Sequence, residues 1–226
     1  MIIDIIGSFP NPWKGRLTLE KSKYLANKWN PSIDDFLAAL DKGRTGIVAS
    51  NFSQFLGSIQ KQKENSIERI NFISHAGEGL FAFTGIISGT DGRVSLTQKG
   101  ALDQKTITDT EPISLGGGVY QESLGAIAVK LRNRFTKEAK IFFYLCQSGA
   151  FNESGLLLQD IANAFQVKTC GFTSKIIWCA NWKQNAVERG LTGLGPYDVS
   201  PSTICGGGSI KRGLAHLVPN RVKNPK

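Results

Sequence analysis

The stretch KIFFYLCQSG, residues 140–149, decides how the chain is read. Ile141 to Leu145 form an unbroken apolar and aromatic run that ends on Cys146, and a turn-prone Ser148-Gly149 pair follows. A run of that length closed by turn residues reads as a strand buried on both faces, the kind found in parallel sheets covered by crossover helices. Upstream, Leu124, Ile127, Leu131 and Phe135 are spaced three, four and four apart, which predicts an amphipathic helix feeding the strand. Downstream, Ser154 can cap a helix that lines up Leu157, Leu158, Ile161 and Phe165, and VKTCGF at 167–172 gives a further short strand.

The alternation continues toward the start of the chain. INFIS, residues 70–74, reads as a strand with His75 just past its end, and GIVAS at 46–50 reads as another. Between them lies a helix carrying Phe52, Phe55, Leu56 and Ile59. The opening MIIDIIG suits a first strand or a short apolar arm, and Ser32-Ile33-Asp34-Asp35 starts a helix that Gly43 stops. FAFTGIIS at 81–88 is a candidate strand, residues 93–120 suit short strands and loops, and Ile176 to Val187 suits a helix. The expected fold is α/β, a three-layer sandwich with a mainly parallel central sheet. It forms one domain over 1–226, with its core at about 46–175, a helical extension before it and a wrapping segment after it.

Composition narrows the function classes. At 41% hydrophobic and 20% charged, the 226 residues have the make-up of a globular chain able to bury a sizeable core. The apolar start has no basic region before it and makes a poor signal peptide, and no run is long enough to span a membrane. The expected location is cytoplasmic, or secreted without such a signal. The net charge of +9 is spread between the two ends of the chain, with no basic helical stripe and no interleaved aromatics, so nucleic acid is not the expected partner. Cys146, Cys170, Cys179 and Cys205 form no C-x-x-C pair, and His75 and His216 are the only histidines, so no metal site is expected. A Cys146–Cys170 or Cys179–Cys205 disulfide stays open. Gly206-Gly207-Gly208 lacks the Lys-Ser/Thr of a phosphate loop.

In an open parallel sheet, catalytic groups collect at the carboxyl ends of the strands. Two strands here deliver reactive residues to such an end, His75 after INFIS and Cys146 after IFFYL. Either residue alone reads as a turn histidine or a core thiol. Together, on neighbouring strands about 5 Å apart, they make a histidine–cysteine pair. The imidazole would take the thiol proton, the thiolate would attack a carbonyl carbon, and the imidazolium would protonate the leaving amine. Gly77 and the amide of Cys146 are the candidate donors to the developing oxyanion. Glu78, Ser148 and Trp178 are candidate substrate-groove residues, with Glu153, Asp160, Asp198 and Trp182 as further candidates. Ser148 is also a rival nucleophile, although it lacks the G-x-S-x-G elbow.

SHAGEG and FFYLCQSG resemble the histidine and cysteine motifs of the caspase-like cysteine peptidases, a group spanning caspases, legumain-like and gingipain-like enzymes, separase and the self-cleaving domains of bacterial toxins. The resemblance covers roughly residues 46–175. It implies a caspase-like topology, a dyad at neighbouring strand ends without metal or cofactor, and a protein or peptide substrate cleaved after a selected residue. By that resemblance His75 is the dyad histidine, Gly77 the oxyanion-hole glycine and Cys146 the nucleophile. A bacterial effector or toxin role follows from the same analogy, as does the alternative of an inactive relative that keeps the fold for binding. Ala76 stands between His75 and Gly77, and two residues separate Cys146 from Gly149, so the likeness is to the wider group rather than to caspases themselves.

Overall fold

A computed structural model describes residues 1–8, 44–77, 79–83, 100–150, 156–173, 176–178, 185–187 and 219–226. The helix expected over 32–43, the segment from 84 to 99, Ser154, Trp182, Cys179, Cys205, Gly206 to Gly208 and His216 lie outside these residues.

The centre is a six-stranded sheet. Its strands are β1 (Ile2–Gly7), β2 (Gly46–Ala49), β3 (Ile67–Ile73), β9 (Phe135–Tyr144), β10 (Lys168–Gly171) and β13 (Arg221–Lys223). They run in the order β2-β1-β3-β9-β10-β13, all parallel except the antiparallel edge strand β13. Helices flank the sheet, the generic three-layer α/β arrangement. They are α1 (Phe52–Gln60), α2 (Gln104–Thr108), α3 (Leu124–Lys130) with a 3₁₀ turn at Leu131–Arg134, and α4 (Leu157–Phe165). Three small antiparallel units complete the described residues. These are β4 (His75–Gly77) with β5 (Leu80–Ala82) and β6 (Ala101–Asp103), β7 (Ile113–Gly116) with β8 (Val119–Gln121), and β11 (Ile176–Trp178) with β12 (Asn185–Val187).

The strands explain both faces of the sheet. Register aligns Ile3, Ile70 and Ile141 in one row and Ile5, Phe72 and Phe143 in the next, and both rows enter the main core with residues of all four helices. On α1, Asn51 caps through its carboxamide oxygen to the Gln54 N–H at 2.9 Å, while the Gln54 side chain accepts from Ser50 N–H at 2.7 Å. That reciprocal cap fixes the entry angle and turns Phe52, Phe55, Leu56 and Ile59 inward. Phe55 meets Phe72 edge-on at 5.4 Å, and Phe81 lies 4.9 Å from Phe143, so phenylalanines pack ring against ring within a core shared with isoleucines and leucines.

The other face is also buried, but it is polar. The neighbouring rows place Asp4 beside Asn71 and Asn71 beside Phe142. Asn71 donates to Asp4 at 2.6 Å, and Arg44 pairs with the second Asp4 oxygen at 2.6 Å. Arg69 donates to Asn71 at 2.7 Å and to the Tyr144 hydroxyl at 2.8 Å, with its guanidinium 4.0 Å from the Phe142 ring centroid. Asp4, Asn71 and Tyr144 are all under 4% exposed. Burial raises the Tyr144 phenol above its ordinary value, with Arg69 pulling the other way.

Three elements differ from the sequence reading. The helix after Leu124 stops at Lys130, and Phe135 opens β9 rather than closing the helix. Phe135 is buried in either periodicity, but the alternating Phe135, Ala139, Ile141 and Phe143 belong to a ten-residue strand. Ile176–Val187 is not one helix: Ile176–Trp178 and Asn185–Val187 pair as antiparallel strands. Two β-branched residues and a tryptophan favour that state, and the four-residue tryptophan spacing mimicked a helical face. Residues 104–108 form a short helix, capped by Asp103, within a region read as strands and loops.

Candidate functional site

Strand β3 ends at Ile73 and β9 at Tyr144, and these two residues are register partners in neighbouring parallel strands. His75 and Cys146 each follow two positions later, so the backbones carrying both residues leave the sheet side by side at its carboxyl edge. His75 begins β4, which turns back onto β5 with His75 opposite Ala82 and Gly77 opposite Leu80. Gly79, at φ +70°, occupies the left-handed region that this tight reversal needs. Between strand and hairpin, the buried Ser74 donates its hydroxyl to the Ala82 carbonyl at 2.5 Å and fixes the start of the turn. Glu78 lies outside the described residues.

The cysteine is carried by an equally constrained turn. Leu145 is fully buried, Cys146 is half-buried, and Gln147 takes a left-handed conformation at φ +53°. A non-glycine residue there carries strain on the order of 1–3 kcal/mol, which the surroundings must offset. Ser148 supplies much of that support. Its hydroxyl donates to the Phe143 carbonyl at 3.1 Å and accepts from the Phe172 N–H at 3.1 Å. Gly149 donates its own N–H to the Phe172 carbonyl at 2.8 Å. The end of β9 is thereby tied to the end of β10. The fit excludes side chains: a Cβ on Gly149 would lie 2.7 Å from Arg221 Cβ, and one on Gly171 would lie 2.7 Å from the Ser148 hydroxyl. Ser148, expected in the groove, is buried and holds the turn together.

The sulfur of Cys146 faces β11. It donates to the Ile176 carbonyl and receives the Ile176 N–H, both at 3.3 Å. Asn220 clamps Thr173 just before this strand, accepting from the Thr173 N–H at 2.9 Å and donating to its hydroxyl at 2.7 Å. Trp178 belongs to the same strand, two residues beyond the one that touches the sulfur. The sulfur is thus both donor and acceptor to the backbone of one residue, which holds it against the edge of β11.

Cys170 differs from Cys146. It is buried on β10, and desolvation raises its thiol above the ordinary cysteine range although Lys140, Lys168 and Arg69 pull it down. Cys146 and Cys170 are both thiols. Asp160 lies on α4 beside Gln104 of α2. Among the described residues, no cluster of three or more His, Cys, Asp or Glu side chains is placed to hold a metal ion, and no helix is long and apolar enough to cross a membrane.

Sequence reasoning missed two supports of the site. One is the tie from Ser148 to β10; its signal was the small Ser-Gly pair facing the Gly171 position. The other is the Ile176 edge, hidden by the helical reading of that segment. Comparison of the chain with protein-family models, with curated proteins and with solved structures finds no match.

Proposed function

We propose that the chain is a cysteine endopeptidase of caspase-like architecture in which His75 and Cys146 form the dyad. One observation carries the reading: both residues leave neighbouring parallel strands two positions beyond the register pair Ile73–Tyr144. A dyad at neighbouring strand ends is what the motif resemblance calls for. The half-buried thiol, the strained residue beside it and the rigid turn beneath it add support.

In the proposed reaction His75 accepts the proton of the Cys146 thiol, and the thiolate adds to the scissile carbonyl carbon. The carbon–nitrogen bond then breaks as the imidazolium protonates the departing amine, leaving a thioester that water hydrolyses. Gly77 and the Cys146 amide are the proposed donors to the oxyanion, and Trp178 and Glu78 the proposed groove residues. For attack to occur, the S–H bond to the Ile176 carbonyl must first be exchanged for one to the histidine. That same sulfur–Ile176 pair favours a second reading, a catalytically silent binding protein of this architecture.

Iodoacetamide alkylation, read by peptide mass mapping, separates the two. The dyad predicts that Cys146 is modified at least ~10-fold faster than in the His75→Ala variant at neutral pH, with the buried Cys170 as the slow internal reference. Equal rates in the two proteins refute the activated thiol. Cleavage of a denatured protein substrate that disappears in Cys146→Ala completes the test, and persistence of cleavage in that variant refutes the assignment.

A further inference from the structure

Three stretches far apart in sequence meet beside the Cys146 sulfur. The first is the turn that carries it, residues 146–149. The second leads from β10 into β11. Phe172 is tied to that turn through its N–H to Ser148 and its carbonyl to Gly149, and Ile176 meets the sulfur through both of its backbone groups. The third leads into β13. Asn220 bonds to Thr173, and Arg221 lies so close to Gly149 that a Cβ on the glycine would sit 2.7 Å from the Arg221 Cβ.

The contacts differ in strength. Sulfur is a weak donor and a weak acceptor, so its two bonds to Ile176 do not by themselves keep β11 in place. The buried Ile176 side chain gives that strand an inward anchor, and Asn220 gives it a second one. The Asn220 carboxamide spends both ends on one residue, its oxygen accepting from the Thr173 N–H at 2.9 Å and its nitrogen donating to the Thr173 hydroxyl at 2.7 Å. Pairing of Gly171 with Arg221 in antiparallel β10 and β13 brings Asn220 to this level. Thr173 and Ile176 are three residues apart, at most about 11 Å of extended chain, so the clamp acts close to the sulfur. There the Ile176 backbone covers part of a half-buried thiol and holds its proton.

We propose that Asn220 is a positioning residue that keeps Cys146 masked. Its clamp on Thr173 holds the Ile176 edge of β11 against the sulfur, and the thiol reacts from the fraction of molecules in which that edge has moved away. The masking concerns access to the thiol and not the identity of a base, so it rests on the peptidase reading only for its consequence in cleavage.

Iodoacetamide alkylation of the full chain tests this, with Cys146 and Cys170 followed in the same peptide maps. Asn220→Ala removes both clamp bonds and should raise the Cys146 rate about 10-fold, the effect of losing two solvent-exposed hydrogen bonds, while Cys170 stays slow. Asn220→Asp keeps an acceptor for the Thr173 N–H and for the Thr173 hydroxyl, and should stay within about 2-fold of the wild type. A Cys146 rate in Asn220→Ala that is equal to or below the wild type overturns the proposal. So does an aspartate variant as fast as the alanine one. Equal acceleration of Cys170, the register partner of Val222, also overturns it, because β13 rather than β11 has then come away. Each rate is measured again with His75→Ala. Acceleration by Asn220→Ala that survives there upholds the masking even where His75 itself proves to have no effect on the thiol, so failure of the dyad and failure of the mask give different results. Acceleration lost in that background overturns the mask, since the substitution then acts through the histidine.

Discussion

Replacing Ser148 by alanine separates support of the turn from chemistry at the turn. The hydroxyl is 2% exposed and bridges the Phe143 carbonyl and the Phe172 N–H at 3.1 Å each. Leaving a buried donor without a partner costs about 1–3 kcal/mol, and the lost bond to the carbonyl adds about 1 kcal/mol. The expected destabilisation is therefore roughly 2–4 kcal/mol. For a chain of this size each kcal/mol moves the melting midpoint by about 2–4 °C, so a fall of roughly 4–16 °C is expected. Urea denaturation followed by tryptophan fluorescence gives the free energy, and a thermal melt gives the midpoint. Gly171→Ala provides the internal check. Alone it sets a Cβ 2.7 Å from the Ser148 hydroxyl, whereas with Ser148→Ala that nearest atom is gone. The double variant should be less destabilised than the two single effects added, by ~1 kcal/mol. Activity should follow the opposite pattern: Ser148→Ala keeps Cys146 alkylation and substrate cleavage, and Cys146→Ala loses cleavage with its fold intact. A loss below about 0.5 kcal/mol, within the range of ordinary surface substitutions, refutes the structural role. Cleavage abolished in Ser148→Ala while Cys146 still reacts refutes the choice of nucleophile.

Two further outcomes rest on buried polar groups. Asn71→Leu removes the amide that joins Asp4 to Arg69 and leaves both charged groups short of a bond, so urea unfolding should show a loss of roughly 3 kcal/mol, more than Ile70→Val at the neighbouring position. Asp160 has its carboxyl raised above the ordinary aspartate value by burial, a shift that Gln104 and Lys226 oppose, and one of its oxygens is buried without a partner. Because the folded state holds this proton more tightly than the unfolded chain, stability falls as pH rises from the ordinary value through the raised one. Asp160→Asn should flatten that slope and stabilise the protein near neutral pH, read from urea midpoints across the acid range; an unchanged slope refutes it.

Much of the sheet was legible because its strands are apolar on consecutive residues. IIDIIG, GIVA, INFI, IFFY and KTCG all lie in the central sheet, and the two strands chosen for the site are adjacent and parallel. What periodicity could not supply was the boundary at Phe135, an apolar residue that satisfies a helix and a strand equally well. The segment after Lys175 failed for a different reason. β11 and β12 are three residues each, too short for any alternation to show, and their pairing depends on a partner rather than on local preference. For the candidate site, the reactive residues were visible as strand-end residues. Their supports were not, because the serine bridge and the sulfur–Ile176 contact join positions 24 and 30 residues apart. Such links carry no signature in a single sequence.

The polar face of the sheet has a consequence for how the chain finds one pairing among several. Isoleucines flank Asp4 on both sides, so β1 shifted by one residue against β3 would still present an almost continuous apolar edge. Hydrophobic burial alone would scarcely distinguish the two arrangements. The carboxylate does, since a one-residue slip turns it to the opposite face, into the phenylalanine core and away from Arg44 and Asn71. Asp4 thus acts as an indexing mark on a strand whose isoleucines alone would scarcely fix its alignment. Replacing Asp4 and Asn71 together by well-packed apolar residues should sacrifice uniqueness of strand alignment before it sacrifices stability, and alignment of β1 with β3 is what brings the ends of the central strands level.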